Sequence, residues 1–203
     1  MAQLIVNLDN YEGFFQNGEG KKIISEMLES GDLNALMGIA SWNKIMSEDL
    51  DKIAEKVIVY YYKDAINQEE MEQCIDILSR IAENSQMSSK AAERICDFAI
   101  KNENSGLLQK ISRHLSLTSQ IAEKICAADN NIIHWKLTVA LEYLAANEKT
   151  PDDILFLLFK KEGRGKVKDN AAANIANRYK TFKEKLNETE EGQKVLKLLT
   201  EIS

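Results

Sequence analysis

With 203 residues, 44% hydrophobic and 29% charged, the chain is long enough for one domain with a continuous core and too polar for a membrane protein. One proline and nine glycines are too few for an all-β domain with many tight turns, so the composition favours helices. The net charge of −6 argues against a protein that coats nucleic acid over its whole surface.

Membrane insertion and secretion are not expected. The chain has no run of about 18 apolar residues, and its start, MAQLIVNLDNYEGF, lacks a basic leader and a long apolar stretch. Three cysteines without CxxC spacing are typical of reduced thiols rather than of a disulfide framework. We therefore expect a cytoplasmic protein that makes no contact with membranes.

The first 46 residues show the least regular pattern. Leu4 to Leu8 is short and β-branched, which predicts a strand or an extended arm. Helices are expected near residues 21–29 and 33–40. Because the terminal units of helical arrays are often atypical, residues 1–46 are interpreted as an N-terminal cap or arm.

Residues 47–180 repeat a start signal for helices. Ser or Thr precedes a polar helix opening at intervals of 41, 30 and 32 residues, and each such hydroxyl is expected to cap a first helix. The four positions are Ser47, Ser88, Thr118 and Thr150. AERIC at 92–96 and AEKIC at 122–126 repeat 30 residues apart, which predicts that Cys96 and Cys126 are equivalent core residues.

Self-similarity at this period is typical of stacked helical hairpins. The apolar spacing predicts four hairpins, with helices over 50–61 and 71–81, 91–100 and 107–112, 121–127 and 132–145, and 152–159 and 166–178. A tail helix near 181–199 would make residues 181–203 a C-terminal capping helix. The predicted fold is all-α: a single-domain, right-handed α-solenoid of about four hairpins plus caps over residues 1–203.

The last hairpin resembles a known repeat family. Residues 157–176, LLFKKEGRGKVKDNAAANIA, are similar to the second half of a HEAT repeat, in which a loop precedes Val-Arg and then paired alanines. Val167 and Lys168 stand at the Val-Arg positions, and Ala171 and Ala172 at the alanines; Lys replaces Arg, and the usual loop Asp is missing. Residues 144–158 also resemble the leucine-rich repeat variant.

This resemblance spans roughly residues 78–178 and implies an α-solenoid. HEAT-like families range from protein scaffolds to DNA glycosylases and lyase subunits. The resemblance therefore assigns no chemistry.

Residues 160–185 carry nine basic and three acidic side chains, while the other 177 residues carry a net charge of −12. The basic residues are Lys160, Lys161, Arg164, Lys166, Lys168, Arg178, Lys180, Lys183 and Lys185. This polarity would attract an acidic partner or a phosphate backbone. The alternative is a solvated surface that complements a neighbouring acidic segment.

Further candidate contact residues lie on the second helix of each hairpin. We expect these helices to line a concave face, with His134, Lys136, Thr138 and Glu142 beside Lys166, Lys168, Asn170 and Asn174. Trp42, at a helix end, is expected to be exposed. Trp135 aligns with Val167 and is interpreted as a core residue.

No metal, cofactor or catalytic site is expected. His114 and His134 fit no zinc motif with the cysteines, and His114 falls at a helix end where Asn often takes a left-handed cap conformation. The carboxylates Glu69, Glu70, Glu72, Asp152 and Asp153 lie in first helical turns, where they oppose the helix dipole. No GxSxG, Walker, HExxH or Rossmann pattern occurs.

We therefore expect a non-enzymatic protein-binding module, an adaptor, scaffold or small inhibitor, whose partner has an acidic patch. The alternative function is nucleic-acid binding through residues 160–185, including the activity of a HEAT-like DNA repair enzyme. A homo-oligomer, in which this basic end docks on an acidic flank of a second copy, is a third interpretation.

Overall fold

The computed structural model describes residues 19–42, 45–128, 134–160 and 165–180, together with 193, 194 and 197. Within these residues the regular structure is helical, with no strand, which confirms the all-α prediction. The predicted strand or arm at Leu4–Leu8 lies outside the described residues. The same is true of most of the predicted tail helix, where only 193, 194 and 197 are described, as helical.

The chain divides into two compact units, residues 1–91 and residues 92–203. Unit 1 contains α1 (Glu19–Ser30), α2 (Leu33–Ala40), α3 (Ser47–Tyr61) and α4 (Gln68–Glu83). α4 packs against both α2 and α3, and α1 packs against the same two helices. The helices of unit 1 thus enclose a core that includes Leu36, Leu50, Ile53 and Ile77.

Unit 2 contains most of α5 (Ser89–Lys101), whose first turn includes the division between the units. It continues with α6 (Ser105–Arg113), α7 (Ser119–Ala128), α8 (His134–Ala146), α9 (Asp152–Phe159) and α10 (Gly165–Lys180). α8 packs against α6 and α10, and α7 packs against α8 and α9. The Lys124 ammonium also joins α7 to α5, through Glu93 at 2.9 Å and Asp97 at 2.7 Å.

Two of the four predicted helix-start signals are confirmed by side-chain hydrogen bonds. The hydroxyl of Ser88 accepts from the Ala91 N–H at 3.0 Å, and that of Thr118 accepts from the Ile121 N–H at 3.3 Å. These bonds satisfy amides that lack a partner in the first turn of a helix.

The other two predictions, that Ser47 and Thr150 cap the helices that follow them, were wrong. Ser47 is already helical, and the cap position is Met46, which has no side chain able to accept a hydrogen bond. At the fourth signal the cap position is Pro151, and the buried Thr150 hydroxyl donates back to the Leu144 carbonyl. Thr150 therefore satisfies the end of the preceding helix instead of the start of the next.

The repeated core positions are buried as expected. Ala92, Ile95 and Cys96 in α5 and Ala122, Ile125 and Cys126 in α7 all lie in the core. Val167, Ala171 and Ala172, the residues that carry the HEAT resemblance, are also buried. Small residues at these positions let neighbouring helices approach closely.

The buried thiols lead to a prediction about reactivity. All three cysteines are free and buried, and burial raises the pKa of Cys74 to about 11 and that of Cys96 to about 12. Because the thiolate is the reactive form, we expect native protein at pH 8 to resist iodoacetamide. Mass spectrometry should then find three alkylated thiols after unfolding in urea. Alkylation of the native protein at the rate of free cysteine would contradict this packing.

Candidate binding surface

An asparagine side chain joins the ends of two helices in unit 1. The Asn84 amide follows α4, is 4% exposed, and donates to the carbonyls of Ala40 at 3.1 Å and Trp42 at 2.9 Å. The last carbonyls of a helix have no intrahelical partner, and the Asn84 amide satisfies that of Ala40 at the end of α2. It also binds the Trp42 carbonyl two residues further on, which accepts from the Ile45 N–H at 3.3 Å as well. Asn84 therefore aligns the end of α4 with the end of α2.

The same arrangement occurs twice in unit 2. The Asn147 amide, just after α8, donates to the carbonyls of Ser112 at 2.8 Å and His114 at 3.1 Å, at the end of α6. The Asn174 amide in α10 donates to the carbonyls of Ala145 at 3.0 Å and Asn147 at 2.9 Å, at the end of α8. We call Asn84, Asn147 and Asn174 the rung asparagines, because each bonds two carbonyls, two residues apart, at the end of an earlier helix.

The structure corrects the expectation of a left-handed cap at the end of α6. Asn84 and His114 take extended conformations, with ψ of 124° and 148°, and not the left-handed one. Extended geometry lets the side chain accept from the N–H two residues on, Gln86 for Asn84 and Ser116 for His114. In the last hairpin, Asn174 makes the pair of bonds that Asn147 makes in the hairpin before it.

The second helices of unit 2 present a surface outside the core. The Arg113 guanidinium lies 4.2 Å from the centre of the Tyr143 ring, joining α6 to α8. Next to Tyr143, the Glu142 carboxylate pairs with Lys166 at 2.9 Å, and the Glu142 carbonyl accepts from the Asn170 amide at 3.0 Å. We call this exposed surface of α6, α8 and α10 the second-helix face. The predicted proximity of Glu142 to Lys166 and Asn170 is confirmed.

Two of the predicted basic contact residues are ion-paired within the chain. The hydrogen bond to Glu142 raises the pKa of Lys166. The Arg178 guanidinium pairs with Asp152 at 2.6 Å and also donates to Asn174 and to the carbonyls of Asn147 and Glu148. These two cations therefore complement acidic neighbours, as the alternative interpretation of the basic segment expected.

The remaining predicted contact residues are distributed as follows. Lys160 and Lys168 are exposed, and the Lys168 ammonium lies 4.9 Å from the centre of the Phe159 ring. Trp42 is half-buried instead of exposed, and its carbonyl is bound by Asn84. Lys161, Arg164, Lys183 and Lys185 lie outside the described residues, and so do the side chains of His134, Trp135, Lys136 and Lys180.

A hollow of about 480 Å³ opens between the end of α8 and one side of α10. At the end of α8 it is lined by Ala146 and Glu148. On the α10 side it is lined by Asn170, Ala173, Asn174, Asn177 and Arg178. Sequence reasoning missed this hollow, although the α10 residues recur at the three- and four-residue spacing of one helix face. Its lining is chemically mixed: alanine methyl groups, side-chain amides, the Glu148 carboxylate and the Arg178 guanidinium, which is paired with Asp152.

Across the described ranges, no group of three or more His, Cys, Asp or Glu side chains is placed to hold a metal ion. None of the helices within these ranges is long and apolar enough to cross a membrane.

Comparison of the chain with protein-family models, with curated proteins and with solved structures gives no match. Function must therefore be argued from the second-helix face itself.

Proposed function

We propose that the chain is a non-enzymatic protein-binding module, a HEAT-like α-solenoid whose second helices form the contact surface. The observation that carries this proposal is the set of rung asparagines. Each rung fixes the end of one second helix against the next, so that α6, α8 and α10 hold their exposed side chains in a constant register. A preorganised binding surface loses less conformational entropy when a partner docks.

The rungs also suggest how many hairpins the solenoid has. Asn84 bonds the end of α2 just as Asn147 bonds the end of α6, which supports α1 and α2 as a complete first hairpin. The proposed solenoid then has five hairpins within the described residues, where the sequence alone suggested about four plus caps.

The partner that we propose is a protein with an acidic patch. Lys160 and Lys168 are the exposed cations that support this, since Lys166 and Arg178 are already paired with Glu142 and Asp152. A phosphate backbone would need many cations free on one face. Of the four basic side chains in residues 160–185 that the structure describes, two are paired within the chain, which is our reason for proposing a protein and not a nucleic acid.

Val139→Asp tests the proposed surface, with Leu157→Asp as its matched control. Val139 is an exposed apolar residue of α8, 37% accessible, whereas Leu157 is an exposed apolar residue of α9, a first helix, 48% accessible. A buried carboxylate at an interface typically lowers affinity by about tenfold or more. We therefore expect Val139→Asp, and not Leu157→Asp, to abolish partner recovery.

The measurement is affinity capture from a lysate of the natural source, with and without nuclease, followed by mass spectrometry. A stoichiometric protein that survives nuclease and is lost only with Val139→Asp supports the proposal. Recovery that depends on nucleic acid, or a partner lost equally with both variants, contradicts it. Far-UV circular dichroism of both variants checks that the helices are intact.

A further inference from the structure

The hollow beside α10 has a rigid wall. Asn174 is 7% exposed, and its amide nitrogen is held by two carbonyls while its oxygen accepts from the Arg178 Nε at 3.1 Å. Arg178 is held in turn by Asp152 and by the carbonyls of Asn147 and Glu148. These bonds engage both amide N–H groups of Asn174 and most N–H groups of Arg178, so the two side chains hold the surrounding residues in place.

Other polar groups in the hollow remain without partners in the described part of the chain. Asn170 donates through its amide nitrogen to the Glu142 carbonyl, which leaves its amide oxygen as an acceptor. Asn177 is exposed on the same side of α10, with a donor and an acceptor. No described cation pairs with the Glu148 carboxylate. The Arg178 guanidinium contacts Glu148 through the backbone carbonyl and not through the carboxylate.

The spacing of these groups suits an extended chain. Asn170 and Asn177 are two helical turns apart, about 10.5 Å along the axis, which is close to the length of three extended residues. Between them lies Ala173, whose small side chain leaves room above the helix, and Ala146 at the end of α8 leaves room on the other side of the hollow. A backbone can therefore approach α10 at Ala173, between Asn170 and Asn177, without meeting a large side chain at that point.

We propose that this hollow binds an extended segment of a protein partner, whose main-chain N–H and C=O groups bond Asn170 and Asn177 and whose Lys or Arg side chain pairs with Glu148. The inference rests on the proposed protein-binding function and specifies one part of the surface. Side-chain amides match a peptide main chain because each presents a donor, an acceptor or both. The carboxylate adds the charge complementarity that selects a cationic residue.

The first experiment uses a phage-displayed library of unstructured eight-residue peptides as the probe for the full chain. We expect enrichment of peptides with Lys or Arg at one position, and loss of their binding by about tenfold or more in Ala173→Phe, which fills the hollow. Ala127→Phe is the control, because Ala127 is an exposed alanine on α7. Absence of enrichment, or equal loss in both variants, would overturn the inference.

A second measurement tests the main-chain and charge contacts. N-methylation at a single position of an enriched peptide should weaken binding to the native protein about threefold to tenfold, and weaken it less in Asn177→Ala. Glu148→Gln should remove the preference for Lys or Arg. The proposal is overturned if N-methylation at no position changes the affinity of the peptide. It is also overturned if the preference for Lys or Arg persists in Glu148→Gln.

The two proposals fail separately. A captured partner that is lost with Val139→Asp but is unaffected by Ala173→Phe would overturn the hollow as a peptide site and leave the second-helix face as the binding surface.

Discussion

Asn84→Asp should destabilise the protein by about 3 kcal/mol at pH 7. The substitution keeps the size of the side chain but replaces the amide donor with an oxygen, which would face the carbonyls of Ala40 and Trp42 within about 3 Å. A carboxylate at this position would be nearly buried against two acceptors and next to the negative end of α2. Urea unfolding followed by circular dichroism measures the loss.

The pH dependence of this variant has a definite sign. A protonated carboxyl group can donate one hydrogen bond to a carbonyl, so the folded variant binds a proton more readily than the unfolded one. Its deficit relative to the native protein should therefore shrink as the pH is lowered from 7 to 4. Asn34→Asp is the control, because Asn34 is exposed in the first turn of α2, where a carboxylate is tolerated. Equal losses in the two variants would contradict the rung interpretation.

Leu108→Ala should cost about 3 kcal/mol of the free energy of unfolding. Leu108 is 0% exposed in α6, and its removal leaves a cavity under the second-helix face that the surrounding helices cannot fully close. Leu157→Ala removes the same atoms from a side chain that is 48% exposed, so we expect a loss below about 1 kcal/mol.

Calorimetry of the two alanine variants checks the burial pattern directly. A large fall in melting temperature for Leu108→Ala and a small one for Leu157→Ala would agree with it. Similar falls for both variants would mean that α6 is not packed as described. Because both changes are Leu→Ala within a helix, differences in helix propensity cancel in the comparison.

The rung asparagines and the buried core together keep α6 and α8 in fixed positions, as the proposed binding surface requires. Core burial of residues such as Leu108 and Leu141 holds α6 and α8 together, while Asn147 sets the position of one helix end on the other. Hydrophobic contact is not directional, whereas hydrogen bonds at fixed angles specify register. Loss of a rung is therefore expected to affect stability and surface geometry together.

Much of the helical pattern could be predicted because its signals are local. The period of apolar residues placed α2 at 33–40 and α9 at 152–159, the bounds found in the structure. The repeated AERIC and AEKIC segments identified Cys96 and Cys126 as core positions. A helix start depends on residues three or four positions apart, which explains why Ser88 and Thr118 were recognised.

The cap misassignments have a local cause as well. Ser47 and Thr150 carry hydroxyl groups next to helix starts, but the backbone entered each helix one residue away from the expected position. An offset of one residue is within the usual uncertainty of a predicted helix boundary, but it changes which donor or acceptor a side chain contacts. Thr150 consequently bonds the end of α8.

By itself, the sequence determined the helical class, most helix positions and the buried repeat residues, because these depend on short-range periodicity and on the burial of apolar side chains. Only the tertiary structure decided which polar groups meet across helices. Asn174 and Arg178 contact residues 26 to 31 positions away in the chain, and Asn84 contacts residues more than 40 away. Such pairings depend on how helices pack, which no local spacing encodes, so the rungs, the Arg178–Asp152 ion pair and the hollow emerged only from the fold. The proximity of Glu142 to Lys166 is the exception, because the repeat itself predicted it.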